Sequence, residues 1–448
     1  MLASRHGAGS SDRKPVGNGG SGMTNFSDVN FFSDPGLVAD PYPYYEYLRA
    51  QCPVAHVPSS GVVAVTGYDE LAAVYRDSAT FSAVNSSLGP FPLPFDVSDD
   101  DITEQVEAHR DQFPMSEHLV SFDPPRHTAH RALLNGLFTP KRLKENEEFM
   151  WRLADQLIDE FVADGRCEFA SAYGQPFPLL VIADLLGVPE ADHSMFRELL
   201  AGRGPAEDPG WAQRDEDGSV NMNPLAYLDK WFTAYISDRR AAPAQDILTE
   251  MATQRFPDGS LPEVVDVVRI ATFLFIAGHE TTARLLSSAL RVLAEDLELQ
   301  DTLRSNRDRI PNFVEEMLRL ESPIKSDFRL TRVATTLAGV ELPAGTTVML
   351  LPGAANRDPR HFDCPAELRV DRPNARQNVA FARGVHSCPG GPLARIEGRV
   401  TIERILERIK DIRLDEAQHG PPGDHRFSYV PLYILRGLEA LHIEFNPK

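Results

Sequence analysis

The segment richest in chemistry is Phe381-Ala-Arg-Gly384-Val-His386-Ser-Cys388-Pro-Gly390, a glycine-rich loop built around one cysteine. A helical pattern follows it, from Pro392 through Ile409, and a proline suits the first turn of such a helix. The sulfur therefore sits near a helix N-terminus, where the dipole and free N–H groups favour a thiolate. Gly384, Gly390 and Gly391 let the backbone approach a flat ligand closely. A thiolate presented in this way is a nucleophile or a metal ligand. His386 stands close enough to act as base for a nucleophile, and an inert buried thiol on a glycine-rich turn is the third reading.

Upstream, Ile276-Ala277-Gly278-His279-Glu280-Thr281-Thr282 lies inside a long apolar helical pattern. An acid beside a hydroxyl on a core helix is usually no more than a satisfied polar pair. Thr281 can, however, bond back to the carbonyl of Ala277 and loosen that turn. A loosened turn holds water, and Glu280 with Thr281 can then pass protons. Glu316-Met-Leu-Arg319 places an acid and a base on one helix face, a spacing that by itself most often marks a solvated pair. His127 and Arg131 share a face of another predicted helix, after Asp123-Pro124-Pro125.

These segments, in this order, resemble the cytochromes P-450. The cysteine loop is similar to the family's haem-binding Phe-x-x-Gly-x-His-x-Cys-x-Gly, and Ala394 and Glu397 stand where that family has them. The resemblance runs from about Phe31 to the end of the chain. It implies haem b with Cys388 as the proximal iron ligand, a thiolate whose electron donation favours O–O cleavage. Phe381, Gly384 and Gly390 would shape the loop, and Ala277 and Gly278 would leave room for haem and dioxygen. Glu280 and Thr281 become the proton relay, and Glu316 with Arg319 a structural pair that retains the haem. His127, Arg131, Arg329 and His386 become donors to the haem propionates, which makes His386 a propionate ligand and not a base.

The implied activity is that of a monooxygenase. It would insert one atom of O2 into a hydrophobic small molecule of terpenoid, steroid, fatty acid or polyketide type. As no flavin or nicotinamide domain is recognisable, electrons are expected from a separate ferredoxin and its NAD(P)H-dependent reductase. A peroxide-driven haem-thiolate oxygenase should lack the acid–alcohol pair. A non-enzymatic haem sensor would need neither that pair nor a docking face. Two positions depart from the family pattern. Ala382 replaces the usual glycine, a mild change if φ is negative there. Pro389 removes an N–H that could face the sulfur, which predicts a lower reduction potential.

The elements that must hold these residues form a mainly α fold with a minor β region. A Gly/Ser-rich leader, residues 1–24, reads as disordered, and residues 25–448 as one large domain of the P-450 fold with a long helix and a cysteine-containing haem loop. The clearest helices are Leu143–Phe161, Leu179–Leu186, Leu225–Arg240, Glu263–Ala294 and Arg309–Leu320, with Tyr68–Arg76 earlier. Strands are expected at Val62–Thr66, Phe328–Val333, Thr346–Leu351 and between Tyr429 and Phe445. Ser82–Ser121 and Gly202–Pro224 lose periodicity, as long functional loops do. Within them and nearby, Phe91, Leu93 and Phe95 would form an apolar lid, with Phe273, Ile324 and Leu432 in the substrate pocket. Lys325 could anchor a carboxylate, but an exposed lysine is the plainer expectation.

A formal charge of −20 argues against nucleic acid or an anionic membrane as partner. Four scattered cysteines, with no CxxC pair, suggest neither zinc nor disulfides and fit the reducing cytoplasm. No membrane anchor is expected, and the protein should be a monomer. Against the overall charge, the stretch from Arg126 to Lys144 carries five Lys or Arg and no acid. With Arg383, Arg395 and Arg399 it suggests a face on which an acidic iron–sulfur protein docks.

Overall fold

The computed structural model describes residues 26–57, 60–87, 89–201, 223 and 225–448; the leader and nearly all of the 202–224 break lie outside them. Helices dominate. Those that matter for the site are α1 (Tyr42–Gln51), α2 (Tyr68–Arg76), α3 (Arg126–Ala132), α4 (Pro140–Asp159), α5 (Pro176–Leu186), α6 (Ala226–Ala241), α7 (Val264–Glu295), α8 (Ile310–Leu320) and α9 (Gly391–Arg408). The sequence marks their ends. Thr139 caps α4 by accepting from the N–H of Arg142 at 3.3 Å, ahead of Pro140 in the first turn. Glu263 and Asp266 form a reciprocal capping box at the start of α7. Gly187, with φ 77°, closes α5 in the left-handed conformation that glycine adopts freely.

α7 is the axis of the molecule. Its 32 residues span about 48 Å at the standard rise. It packs against α5, α6 and α9, and most of its length is buried. A five-stranded sheet lies to one side, in the order β1 (Val54–His56), β2 (Val63–Val65), β8 (Thr347–Leu350), β5 (Asp327–Thr331), β3 (Phe81–Ser82). The pairing of β2 with β8 is parallel and joins Val65 to Leu350. A hairpin of β6 (Thr335–Leu337) and β7 (Val340–Leu342) follows β5. A second sheet sets β10 (His442–Pro447) between β4 (Arg166–Glu168) and β9 (Ile409–Leu414). Between Tyr429 and Phe445 the only regular strand among the described residues is β10; ahead of it the chain makes isolated bridges, Tyr429 with Leu438 and Ile324 with Leu435. No helix among the described residues is long and apolar enough to cross a membrane.

α8 and the segment after it are locked together by the Glu316–Arg319 pair. Both side chains are fully buried, and they meet through Nε–Oε1 at 2.6 Å and Nη2–Oε2 at 2.9 Å. Arg319 also donates to the carbonyls of Asn356, Pro365 and Glu367, at 3.1, 2.5 and 2.9 Å. Glu316 accepts from the Arg369 N–H at 3.0 Å and from Arg372 Nε at 3.1 Å. The pair is thus a clamp on the loop that leads to the cysteine.

Candidate functional site

The cysteine loop is held at both ends. The Cys388 N–H donates to the Phe381 carbonyl at 2.9 Å, and Arg395 from α9 stacks over the Phe381 ring at 4.6 Å. Gly384 has φ 70°, and a Cβ there would lie 2.3 Å from the carbonyl oxygen of Tyr75. Only glycine lets the loop pass α2 this closely. Ala382 has φ 55°, so the expected mild change is not mild: an L side chain occupies the left-handed region, at a cost of about 1–2 kcal/mol.

Cys388 opens onto a cavity of about 260 Å³, and its side chain is exposed within it while protein surrounds it on the other sides. Burial pushes its thiol pKa up, while the N–H groups of Gly390 and Gly391 and the charge of Arg131 pull it down. Across the cavity runs the middle of α7, where Ala277, Glu280 and Thr281 line the wall. Thr281 Oγ1 donates to the Ala277 carbonyl at 2.9 Å, which diverts that carbonyl from a purely helical role. Glu280 faces Arg284 at 4.0 Å. Gly278 does not leave room in the cavity as expected: it faces Ile182 of α5, where an added Cβ would meet Cγ1 at 3.1 Å, and only Ala277 of the two small residues lines the wall.

At the cavity edge the structure gathers His127 and Arg131 from α3, Arg329 from β5 and His386 from the loop. The rings of His127 and His386 are 4.1 Å apart. His127 Nδ1 and His386 Nε2 are buried with no hydrogen-bond partner among the described residues. Burial takes the His127 pKa down to about 4, with Arg131 adding to it. The His386 pKa falls to about 2, through burial first and then the charges of Arg329, His127 and Arg131. A nest of donors and positive charge with two orphaned nitrogens calls for an anion. The two carboxylates of a haem, whose iron would meet Cys388, fit that demand. Asp327, which accepts from Arg329 Nη1 at 2.9 Å, also belongs to this edge. Tyr75, whose ring lies under Arg329, stands there too.

The rest of the wall is apolar: Val120, Phe273, Ile276, Leu285, Ile324 and Leu435 are among its members. Phe273 and Ile324 are where the sequence suggested. Leu93 and Phe95 are not a lid over this cavity. They pack on a separate cluster of Val84, Ile102, Val106, Phe113 and Leu330, and the Phe95 ring lies tilted against that of His109 at 4.9 Å. Phe91 and Leu432 are partly buried against the main core and do not line the cavity. Sequence reasoning missed Val120, Leu285 and Leu435, since isolated aliphatics in loops and helices carry no motif.

Lys325 is neither exposed nor aimed at a ligand. It is 3% exposed, donates to the Leu37 carbonyl at 2.7 Å and lies over the Phe31 ring. The basic stretch from Arg126 is also changed by its surroundings. Arg126 pairs with Glu117 at 2.6 Å, Arg395 with Glu315 at 2.6 Å and Arg399 with Glu147 at 2.5 Å, and Arg142 pairs with Glu250. Carboxylates from outside the basic stretch, three of the four far along the chain, neutralise much of the face that the local sequence makes basic. Lys141 and Lys144 remain exposed.

The comparisons agree with this geometry. Residues 237–427 match the family model described as Cytochrome P450. The chain is 33% identical to Cytochrome P450 144 of Mycobacterium tuberculosis, over 94% of this chain and 92% of that protein. It is 32% identical to Cytochrome P450 monooxygenase PikC of Streptomyces venezuelae, over 92% of each. Among solved structures, the substrate-free form of Mycobacterium marinum cytochrome P450 CYP150A6 superposes with a TM-score of 0.88 at 56% identity, covering 94% of this chain and 100% of that one.

Proposed function

The chain belongs to the cytochrome P450 family and is a monooxygenase of that family; on this premise we propose that it binds haem b through Cys388 and oxygenates a hydrophobic small molecule, fed with electrons by a separate ferredoxin. The observation that carries the reading is one arrangement. A thiol on a glycine-rich loop faces, across an apolar cavity, the turn loosened by the Thr281–Ala277 bond, with an anion-seeking nest at the rim.

The haem, when bound, supplies the activation of dioxygen. The chain's own residues do the rest. Cys388 would be the ligand, and the Gly390 and Gly391 N–H groups beside it favour its thiolate. His127, Arg131, Arg329 and His386 would hold the propionates and so orient the group. Glu280 and Thr281 hold the proton route: Thr281 keeps its hydroxyl against the Ala277 carbonyl, and Glu280, held near Arg284, can deliver a proton to that hydroxyl. The apolar wall orients a hydrophobic substrate and excludes bulk water. Terpenoid, steroid, fatty acid and polyketide remain the substrate classes this lining admits. A cytoplasmic monomer meeting its ferredoxin on the cysteine side, with Lys141 and Lys144 as the exposed cations, completes the proposal.

Replacing Thr281 by Ala is the test. The thiolate carbon-monoxide band should persist while reductant is diverted to hydrogen peroxide, so that product per reductant consumed falls by about tenfold or more. Unchanged coupling in Thr281→Ala would remove Thr281 from the relay. A peroxide-driven enzyme or a sensor would show no reductant-dependent turnover to uncouple.

A further inference from the structure

The loop between α2 and α3 carries a buried histidine that the site described above does not use. His118 is 1% exposed, and neither ring nitrogen makes a hydrogen bond of good geometry among the described residues, although the Met115 carbonyl lies close enough to bear on the ring. A buried polar group left unmet costs about 1–3 kcal/mol. Such a cost, retained in a native structure, points to a partner that arrives from outside.

Its position says where that partner comes from. The His118 ring is 6.2 Å from the ring of Phe273, and Phe273 lines the cavity. Two residues along the loop, Val120 lines it as well. His118 therefore stands one side chain behind the cavity wall, at the seam between Val120 and Phe273. Phe273 lies one helical turn before Ala277, displaced along α7 from the reacting centre.

The surroundings decide what chemistry the ring can offer. Burial takes its pKa down to about 4; the Arg269 charge adds to this, and Asp229 and the Met115 carbonyl oppose it. The imidazole is neutral at physiological pH, with one donor and one acceptor. Arg269 and Asp229 are already engaged, Arg269 with Glu117 at 3.4 Å and Asp229 with Thr272 Oγ1 and Asn223 Nδ2, each at 3.0 Å. A carboxylate would meet the charge of Asp229 and a guanidinium already paired. An uncharged oxygen meets neither obstacle.

We propose that His118 is a specificity-determining residue: it hydrogen-bonds a hydroxyl or carbonyl oxygen at the far end of an otherwise apolar substrate, when the Phe273 side chain turns aside. This rests on the monooxygenase reading and narrows it. The substrate is amphipathic, with an apolar body and an uncharged oxygen remote from the carbon that is oxidised.

The test uses the haem-loaded enzyme and ligands whose anchoring does not depend on knowing the substrate. N-Dodecylimidazole, its ω-hydroxy derivative and its ω-carboxy derivative attach to the iron through imidazole and red-shift the Soret band, so affinities come from spectral titration. The quantity read is the affinity of the hydroxy probe relative to the alkyl probe. That ratio should fall about tenfold in His118→Phe, the size of one buried hydrogen bond, and recover in His118→Gln. Phe273→Ala, which removes the intervening side chain, should raise it. An unchanged ratio in His118→Phe overturns the proposal, as does a larger loss for the carboxy probe, which would assign the niche to Arg269. If His118→Phe loses the thiolate carbon-monoxide band, Phe273→Ala decides, and an unchanged ratio there counts against the proposal. Loss of that band in the wild-type protein would instead sink the haem-thiolate reading.

Discussion

Replacing Glu316 and Arg319 together tests whether their role is that of a charge pair or of a clamp. Glu316→Leu alone leaves Arg319 and Arg372 buried without a counter-charge, which should cost about 3–5 kcal/mol. For a simple buried pair, replacing both members by apolar groups of similar volume is often neutral or stabilising. Here the outcome should differ, because Arg319 also serves the carbonyls of Asn356 and Pro365. In Glu316→Leu/Arg319→Met those two acceptors lose their donor, at about 1–3 kcal/mol each, and Arg372 still lacks its anion. The double variant should therefore remain about 2–6 kcal/mol below wild type. Urea unfolding of haem-loaded protein, followed at the Soret band and by far-UV circular dichroism, reads this directly. A double variant within about 1 kcal/mol of wild type would refute the clamp and leave only a dispensable ion pair. The pH dependence has a defined sign. Burial pushes the Glu316 carboxyl up, but the Arg319 bond and the Arg369 N–H outweigh it, and its pKa ends below the ordinary value. Its contribution is present above the usual carboxylate range and is lost as pH falls through the depressed value, so the clamp should open during acid unfolding.

Three further perturbations follow from the same geometry. Gly384→Ala forces a Cβ into the Tyr75 carbonyl and should sharply lower haem content in purified protein, whereas Ala382→Gly should keep it; Ala382→Val, a branched side chain at φ 55°, should lose at least about 1 kcal/mol by urea titration. Lys325→Met should remove a pH dependence. Burial lowers the Lys325 pKa from 10.5 to about 8, so the unfolded chain binds the extra proton and stability rises with pH across that window; unfolding midpoints on either side of it should converge in the variant. Pro389→Leu restores an N–H beside a sulfur already facing those of Gly390 and Gly391, and redox titration should show a higher potential than wild type.

What the sequence made legible was local. The cysteine loop, the Thr281–Ala277 back-bond and the Glu316–Arg319 spacing are fixed within one or two helical turns, so residue types and intervals reveal them. Helix ends were legible for the same reason, since Thr139, Glu263 and Gly187 act on their nearest neighbours. What failed depended on partners far along the chain. Lys325 looks like a surface residue until Leu37 and Phe31 fold over it. Arg142 and Arg399 look like part of a free basic face until Glu250 and Glu147 arrive. Leu93 and Phe95 point away from the cavity because the loop that carries them turns toward Ile102 and Leu330. The sign of φ at Ala382 is set by how the loop must turn around the sulfur, and an alanine gives no hint of it. His118 bears no motif at all; only its burial without partners draws attention to it.

The parallel pairing of β2 with β8 has a consequence in time. Val65 finds Leu350, and β1 rests on β2, so the sheet cannot close until most of the chain has left the ribosome. At about 5–20 residues per second, the strands near the N-terminus wait roughly 15–60 s for their partner. During that interval β1 and β2 are apolar edges exposed to other chains, while α4 and α5 can already pack on each other. The nest at the cavity rim needs α3 and also Arg329 and His386, which emerge late. The site is therefore completed only late in synthesis, after β8 has emerged to cover the waiting edge.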